Sequence, residues 1–441
     1  MVNLSSMMCL LTMKKSRQSS KLFIRLRLNT LNCPDVFKCF NPLQIMKKDK
    51  NIRLGLKMSL MKQSFFILIA LLMMAGCSSQ SSQSDEGTAP NFVPGYDEPV
   101  RGVWLTNVAS DALYTKKKVV QAVEKCDSLG INTIFVVTWN KAMTMYRSQI
   151  MKDFTGVEID PVLDPDNSGR DPLKELIEES HKRDIKVFAW FEFGFSSSYN
   201  KDGGVLVKLK PEWASLTSDG ELCTKNNFDW LNALDPEVQD FVMSLILEVV
   251  NNYDVDGIQG DDRLPAMPSK GGYNPGVIEE YKAEHFGQEP PEYYKDFEWV
   301  NWRAEKLNEF MKRLYHAVKS ADPECIVSMA PSVFPWSKEE YLQDWPTWIN
   351  FGYVDMICPQ VYRKDSTSYL NTLKATVDYV LPEKRHLLYP GILIRVNGEQ
   401  PSNELFKFMI ESNRKLGMDG EVHFFYEGLS QYSEELKEMY N

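Results

Sequence analysis

Tyr253-Asp254-Val255-Asp256-Gly257-Ile258-Gln259-Gly260-Asp261-Asp262-Arg263 is the stretch on which the reading of this chain turns. Upstream of it, Val238, Phe241, Val242, Leu245, Ile246, Val249 and Val250 recur at three- and four-residue spacing, the stripe of an amphipathic helix. Asp235-Pro236 opens that helix with an N-cap acid and a proline in the first turn. The helix runs straight into the quoted stretch, and a long irregular loop follows. The stretch reads as a barrel strand whose C-terminal end delivers two adjacent carboxylates to an open site. Side chains alternate along a strand. Ile258 then faces the helices, Gly257, Gln259 and Asp261 face inward, and Asp262 stands at the rim. Asp is common in plain turns. Two acids beside Gly and Gln at a strand mouth nevertheless favour chemistry.

The same alternation extends in both directions. Strands are predicted at 101–107, 131–137, 185–193, within 253–263, and at 325–331, 353–361, 385–391 and 420–426. Helices are predicted between them, near 115–129, from Asp171-Pro172, from Asp235-Pro236, and near 293–320, 337–350, 366–381 and 402–416, with a last one at 430–440. Unbroken alternation implies parallel strands with helical crossovers. Eight such units predict an α/β fold, the (β/α)8 TIM barrel, with its site on the C-terminal rim. The excess length lies in long loops after strands 2, 3 and 4, on the expected active face. The first strand is followed by no Gly-rich dinucleotide fingerprint, which argues against an open doubly wound sheet. Residues 100–441 are read as this one domain.

The leader has a different character. Residues 1–57 hold 12 Lys and Arg but only two acids, and are expected to be translated upstream sequence with no fold. Residues 58–76 have a basic start, an apolar run from Phe65 to Met74, then Ala75-Gly76. That run is too short to span a bilayer as a helix, and the pattern is a secretory signal. Cys77 follows directly, and its setting resembles a bacterial lipobox, which implies lipidation of Cys77. Residues 77–99 are read as the lipidated cysteine and a Ser/Gln-rich tether. The expected location is the cell envelope, with the chain held to a membrane through Cys77. Residues 77–441 carry 37 basic and 58 acidic side chains. Such an acidic surface argues against nucleic acid as a partner.

Cys126, Cys223, Cys325 and Cys358 show no metal spacing and are read as mostly buried thiols, with a Cys325–Cys358 pair as the one disulfide weighed. The five His are scattered: His181 and His316 are expected on solvated helix faces and His423 as a core partner. No metal site and no cofactor is expected. No nucleophile elbow or phosphate loop is visible.

The strand ends instead supply carboxylates, amides and large aromatics, which fit glycoside cleavage by a carboxyl pair. Asp261 suits the ionised role, Glu192 the acid of raised pKa, and Asp262 competes for either. The plain reading of Glu192 is a structural partner of Arg263. Candidate substrate contacts are Trp104, Asn107, Trp139, Asn140, Trp190, Gln259, Gln360, Tyr362 and Tyr426. Each Trp among them could be a stacking platform or simply core.

Several segments together resemble the glycosyl hydrolase-like 10 family: Arg101-Gly102-Val103-Trp104-Leu105-Thr106-Asn107, Gly130-Ile131-Asn132-Thr133, Ala189-Trp190-Phe191, Trp230-Leu231-Asn232 with Asp235-Pro236, Asp256-Gly257-Ile258-Gln259 with Asp261-Asp262, and Pro359-Gln360-Val361-Tyr362. The resemblance implies a β/α barrel with glycosidase activity, in a family where some lipoproteins cut peptidoglycan glycan strands lacking stem peptides. The pattern around Asp261 also looks like the fourth strand of α-amylase-type enzymes, which implies a nucleophile there. Two positions depart from the family's habit, Trp139-Asn140-Lys141-Ala142 after strand 2 and Glu192 after Trp190-Phe191. The expected function is hydrolysis of a polysaccharide outside the cytoplasm, foremost peptidoglycan glycan strands. The alternatives are a non-catalytic glycan-binding lipoprotein on a barrel scaffold and a glycosidase for an imported dietary or host glycan.

Overall fold

The computed structural model describes residues 96–440, together with two short strands nearer the N-terminus. Those two, Cys9–Met13 and Ile24–Leu28, pair antiparallel with Cys9 opposite Leu28. The signal segment and Cys77 lie outside the described residues. Among the described residues, no helix is long and apolar enough to cross a membrane.

Eight parallel strands form one curled sheet: β1 (Val100–Leu105), β2 (Thr133–Val137), β3 (Lys186–Phe191), β4 (Gly257–Gly260), β5 (Ile326–Met329), β6 (Met356–Ile357), β7 (Gly391–Leu393) and β8 (Gly420–Phe424). The hydrogen-bonded order runs β6-β5-β4-β3-β2-β1-β8-β7. The remaining seam, between β6 and β7, is joined by isolated parallel bridges at Ile357–Leu388 and Gln360–Gly391. The TIM-barrel expectation is met. The crossover helices include α1 (Lys116–Ser128), α2 (Pro172–His181), α3 (Pro236–Asn252) and α4 (Phe297–Ala321). The two Asp-Pro starts act as read from the sequence: Asp171 accepts from the Lys174 N–H and Asp235 from the Glu237 N–H.

Strands 6 and 7 are the poorest matches. β6 keeps only two residues of the nine expected, and 382–387 winds into a 3₁₀ turn opened by Pro382, so β7 starts at Gly391. Proline has no N–H to give a ladder, which excludes it from an inner strand. Helix 337–350 is split into Trp336–Tyr341 and α5 (Trp345–Phe351), with Leu342 in the left-handed region between them.

The floor of the barrel uses one device three times. The side chain just before an even strand accepts the backbone N–H of an odd neighbour. Asn132 Oδ1 takes Arg101 N at 2.8 Å, Asp256 Oδ2 takes Val187 N at 2.7 Å, and Asp355 Oδ2 takes Val327 N at 2.9 Å. Asp256 also holds His181 Nε2 at 3.0 Å and Lys186 Nζ at 3.4 Å. His181 is thus half-buried and hydrogen-bonded to Asp256 rather than simply solvated. Asp256→Ala should lower stability by about 2–3 kcal/mol, chiefly by orphaning a buried N–H, with kcat unchanged. Chemical denaturation beside a kinetic assay checks both.

The three long loops carry structure of their own. After β2 comes a two-strand hairpin, Trp139–Asn140 with Met143–Thr144. After β3 comes a three-strand sheet, Ser196–Tyr199, Phe228–Trp230 and Thr224–Lys225. The loop after β4 is pinned by the buried Arg303 of α4, which donates to the Ser269, Gly271 and Tyr294 carbonyls. All four described cysteines outside the leader are buried and free. His423 is buried, as expected, with Nε2 2.8 Å from the Tyr440 hydroxyl, and burial pushes its pKa down to about 3.

Candidate active site

Register brings the acids together. Gln259 of β4 lies opposite Trp190 of β3, and Gly260 opposite Phe191. The next step along each strand is Asp261 and Glu192, which therefore leave the sheet side by side at its C-terminal rim. Gly260 permits this close approach, because a Cβ there would lie 2.6 Å from the Leu264 carbonyl oxygen. Gly194, at φ +49°, lets the β3 loop turn against the β4 loop, where Phe195 N donates to the Arg263 carbonyl at 3.0 Å.

Arg263 is the hub of the site. Its Nη2 lies 2.8 Å from Asp261 Oδ2 and 3.5 Å from Glu192 Oε1, and its Nη1 lies 2.8 Å from Asp262 Oδ1. The contact to Asp262 is an ion pair without hydrogen-bond geometry. Arg263 Nε donates to the Glu192 backbone carbonyl at 2.8 Å. Because Nη2 serves both Glu192 and Asp261, those carboxylate oxygens are at most about 6 Å apart. That bound is shorter than the roughly 6.5–9.5 Å of inverting carboxyl pairs and admits the roughly 5–5.5 Å of retaining ones.

The acids differ in setting. Asp261 is buried and accepts on both oxygens, from Gln360 Nε2 at 2.8 Å and from Arg263. Burial, then the neighbouring Asp262, pushes its carboxyl well above the usual range, against the pull of Arg263. The sequence-based expectation of a simply ionised Asp261 is corrected in this respect: desolvation raises it too. Burial also raises Glu192, countered by Arg263 and by Asn140 Nδ2, which donates at 2.6 Å. Asp262 is more open, its side chain 26% exposed.

Most of the expected substrate contacts gather here. Asn140 joins Glu192 to Asn107, whose Oδ1 accepts from it at 3.1 Å. Gln360 reaches Asp261, and burial raises the pKa of Tyr362, with the charges of Asp261 and Asp262 adding to the rise. Asn140 Oδ1 and Trp190 Nε1 are buried with no hydrogen-bond partner among the described residues. Such orphaned groups are rare, and these two leave bonding capacity at the rim.

Other expected contacts are corrected. Trp104 and Gln259 are buried below the rim and bonded to each other, indole N–H to amide oxygen at 2.6 Å. Trp139 is fully buried and donates to the Gly194 carbonyl at 3.1 Å. These three support the site from beneath, because inward side chains of a barrel strand fill its core. Tyr426 packs under Lys125 of α1, whose Nζ is 4.3 Å from its ring, and touches none of the acids. Sequence reasoning passed over Arg263 as a site residue, although a third charge directly after two acids was the available signal. It also passed over Gln343, which donates to the Asp261 carbonyl at 3.0 Å and carried no signal. Among the described residues, no group of three or more His, Cys, Asp or Glu is placed to hold a metal ion.

The hairpin that presents Asn140 turns through Lys141 and Ala142 at φ +52° and +56°. Both central residues of such a turn need positive φ, for which Asn and Gly are suited. Lys141→Asn should therefore stabilise the fold by roughly 0.5–1 kcal/mol, readable as a rise in Tm.

Residues 99–404 match the model of the glycosyl hydrolase-like 10 family. This chain belongs to that family. Its membership assigns the chain to the glycosidases, hydrolases acting on O-glycosyl bonds. Glycosyl hydrolase DigH of Escherichia coli K12 is 24% identical over 396 residues, covering 78% of this chain and 85% of the relative. Glycosyl hydrolase YngK of Bacillus subtilis strain 168 is 24% identical over 295 residues, 60% of this chain and 54% of the relative. Among solved structures, the PgaB (BpsB) glycoside hydrolase domain from Bordetella bronchiseptica superposes with a TM-score of 0.58 at 13% identity, covering 77% of this chain and 98% of that one. Alpha-L-fucosidase isoenzyme 2 from Paenibacillus thiaminolyticus gives a TM-score of 0.54 at 16% identity, covering 78% of this chain and 48% of that one. At these identities the two structures share the family member's fold, and the geometry of its own rim carries the chemistry.

Proposed function

We propose that this family member cleaves glycosidic bonds in a polysaccharide outside the cytoplasm, foremost the glycan strands of peptidoglycan stripped of stem peptides. The observation that carries the reading is the Asp261–Glu192 pair, held within about 6 Å by one guanidinium. A separation this short leaves little room for a water between acid and sugar, so Asp261 attacks the anomeric carbon directly. Glu192 gives its proton to the departing glycosidic oxygen. It takes the acid's part because Arg263 Nη2 lies nearer Asp261, 2.8 Å against 3.5 Å, and so steadies the carboxylate that attacks. The Asp261–sugar ester is then hydrolysed by water that Glu192 deprotonates, which restores both groups. Gln360, Tyr362 and Asn107 hold hydroxyls of the sugar.

The substrate and the compartment rest on the sequence: a secretory pattern ending at Cys77 and the likeness to lipoproteins that cut such strands. Residues 78–441, purified and offered denuded cell-wall glycan and α-glucans in parallel, should release reducing ends from the first and not the second. Binding of either glycan with no release of reducing ends by the native chain would instead support a non-catalytic glycan-binding protein.

A further inference from the structure

Of the ten tryptophans in the chain, Trp336 is the exposed one, at 44%. It begins the short helix Trp336–Tyr341 in the loop after β5, on the face where Asp261 and Asp262 emerge. Its ring lies 5.4 Å from that of Tyr341. Tyr341 is buried, and two residues further on Gln343 Nε2 donates to the Asp261 carbonyl at 3.0 Å, which ties the Trp336 loop to the rim that carries the acids.

Tyr341 is a rigid support. Asn226 Nδ2 donates to its hydroxyl at 2.8 Å, and its ring lies 5.7 Å from that of Trp230. Lys225 Nζ sits 4.2 Å from the Tyr341 ring and 6.0 Å from the Trp336 ring. Glu340 pairs with both Lys225, through Oε2 at 2.5 Å, and Lys295, so two ammonium groups share one carboxylate beside the shelf. Trp336 Nε1–H has no hydrogen-bond partner among the described residues. A large apolar face left in water beside a polar cleft is the usual mark of a binding surface. One side of a pyranose ring is lined with C–H groups, and an indole offers it a flat face with an N–H handle for a hydroxyl.

We propose that Trp336, backed by Tyr341, is a sugar-stacking subsite of the cleft. It holds a pyranose of the same chain away from the scissile bond. This inference rests on the glycosidase reading. It makes Trp336 a binding residue for extended substrate, with no part in bond cleavage.

The test uses the full folded chain, residues 78–441. Asp261→Asn protein is titrated calorimetrically with denuded glycan strands, alone and combined with Trp336→Ala or Trp336→Phe. Removing the indole should weaken binding about tenfold, and phenylalanine should recover most of it. In the active protein, Trp336→Ala should raise KM for strands about tenfold with kcat nearly unchanged. Equal affinity with and without Trp336, an unchanged KM, or no saturable binding of strands would overturn the subsite. Strands cleaved by the native chain with KM insensitive to Trp336 would remove the subsite alone. Strands neither bound nor cleaved would remove the glycan-strand reading with it.

Discussion

Asp261→Asn should lower turnover on a cleavable glycan by roughly 10³-fold or more, the scale at which an essential carboxylate is lost. The amide keeps the shape but has a single oxygen, so it keeps one of the two bonds that Asp261 accepts from Gln360 Nε2 and Arg263 and turns a donor toward the other. What it loses is the anion that attacks the sugar. The same change should raise stability at neutral pH. The carboxyls of Asp261 and Glu192 are both pushed above their ordinary range in the folded chain, burial being the first cause. A raised carboxyl favours the fold fully below its unfolded pKa, and that contribution is lost as pH climbs through the folded value. At neutral pH the native chain is therefore penalised relative to the amide. The gain in Tm should vanish as pH falls below the ordinary carboxylate range, near 4. Thermal melts of both proteins across that interval, beside kcat at one pH, read the two effects separately.

Arg263→Met should be the most damaging single change to stability, by about 3–5 kcal/mol. Among the described residues the guanidinium is the one cation within ion-pair distance of Asp261, Asp262 and Glu192, and its side chain is 12% exposed. Burial alone would lower its pKa, but the three carboxylates override that and raise it. Without it, three acids share a desolvated rim with no counter-charge, and the bond from Nε to the Glu192 carbonyl goes as well. Methionine fills similar volume, so the loss is electrostatic rather than a cavity. The signature is its pH dependence: the deficit should be largest at neutral pH and shrink on acidification, as the carboxyls take up protons. Residual activity should move to higher pH, because Asp261 then ionises later. Arg263→Lys should recover part of the stability, since a point charge cannot reach all three acids as a planar fork does.

The barrel was legible because its signals are periodic. The α3 stripe, the two Asp-Pro starts and the alternation of 257–261 each depend on local rules, and each recurs in the structure. Strands 6 and 7 were blurred because strands of two and three residues have no period to read. In the site, the acids could be named from their place at strand ends. Their partners could not. Asn140 meets Glu192 only through a hairpin whose left-handed turn residues, Lys141 and Ala142, give no sequence warning. Trp104, Trp139 and Gln259 read as rim residues, since a strand end looks alike whether its side chain is the last buried or the first exposed. Asp256, part of the quoted stretch, proved to clasp the neighbouring strand at the floor. Trp336 escaped notice because exposure, unlike periodicity, is a tertiary property.

The most direct test of Asp261 as nucleophile is the configuration of the first-formed reducing sugar, followed by proton NMR before mutarotation. Direct attack by a carboxylate within about 6 Å of its acid partner predicts retention of the anomeric configuration. A product of inverted configuration would mean that water attacks in its place, and would contradict the account.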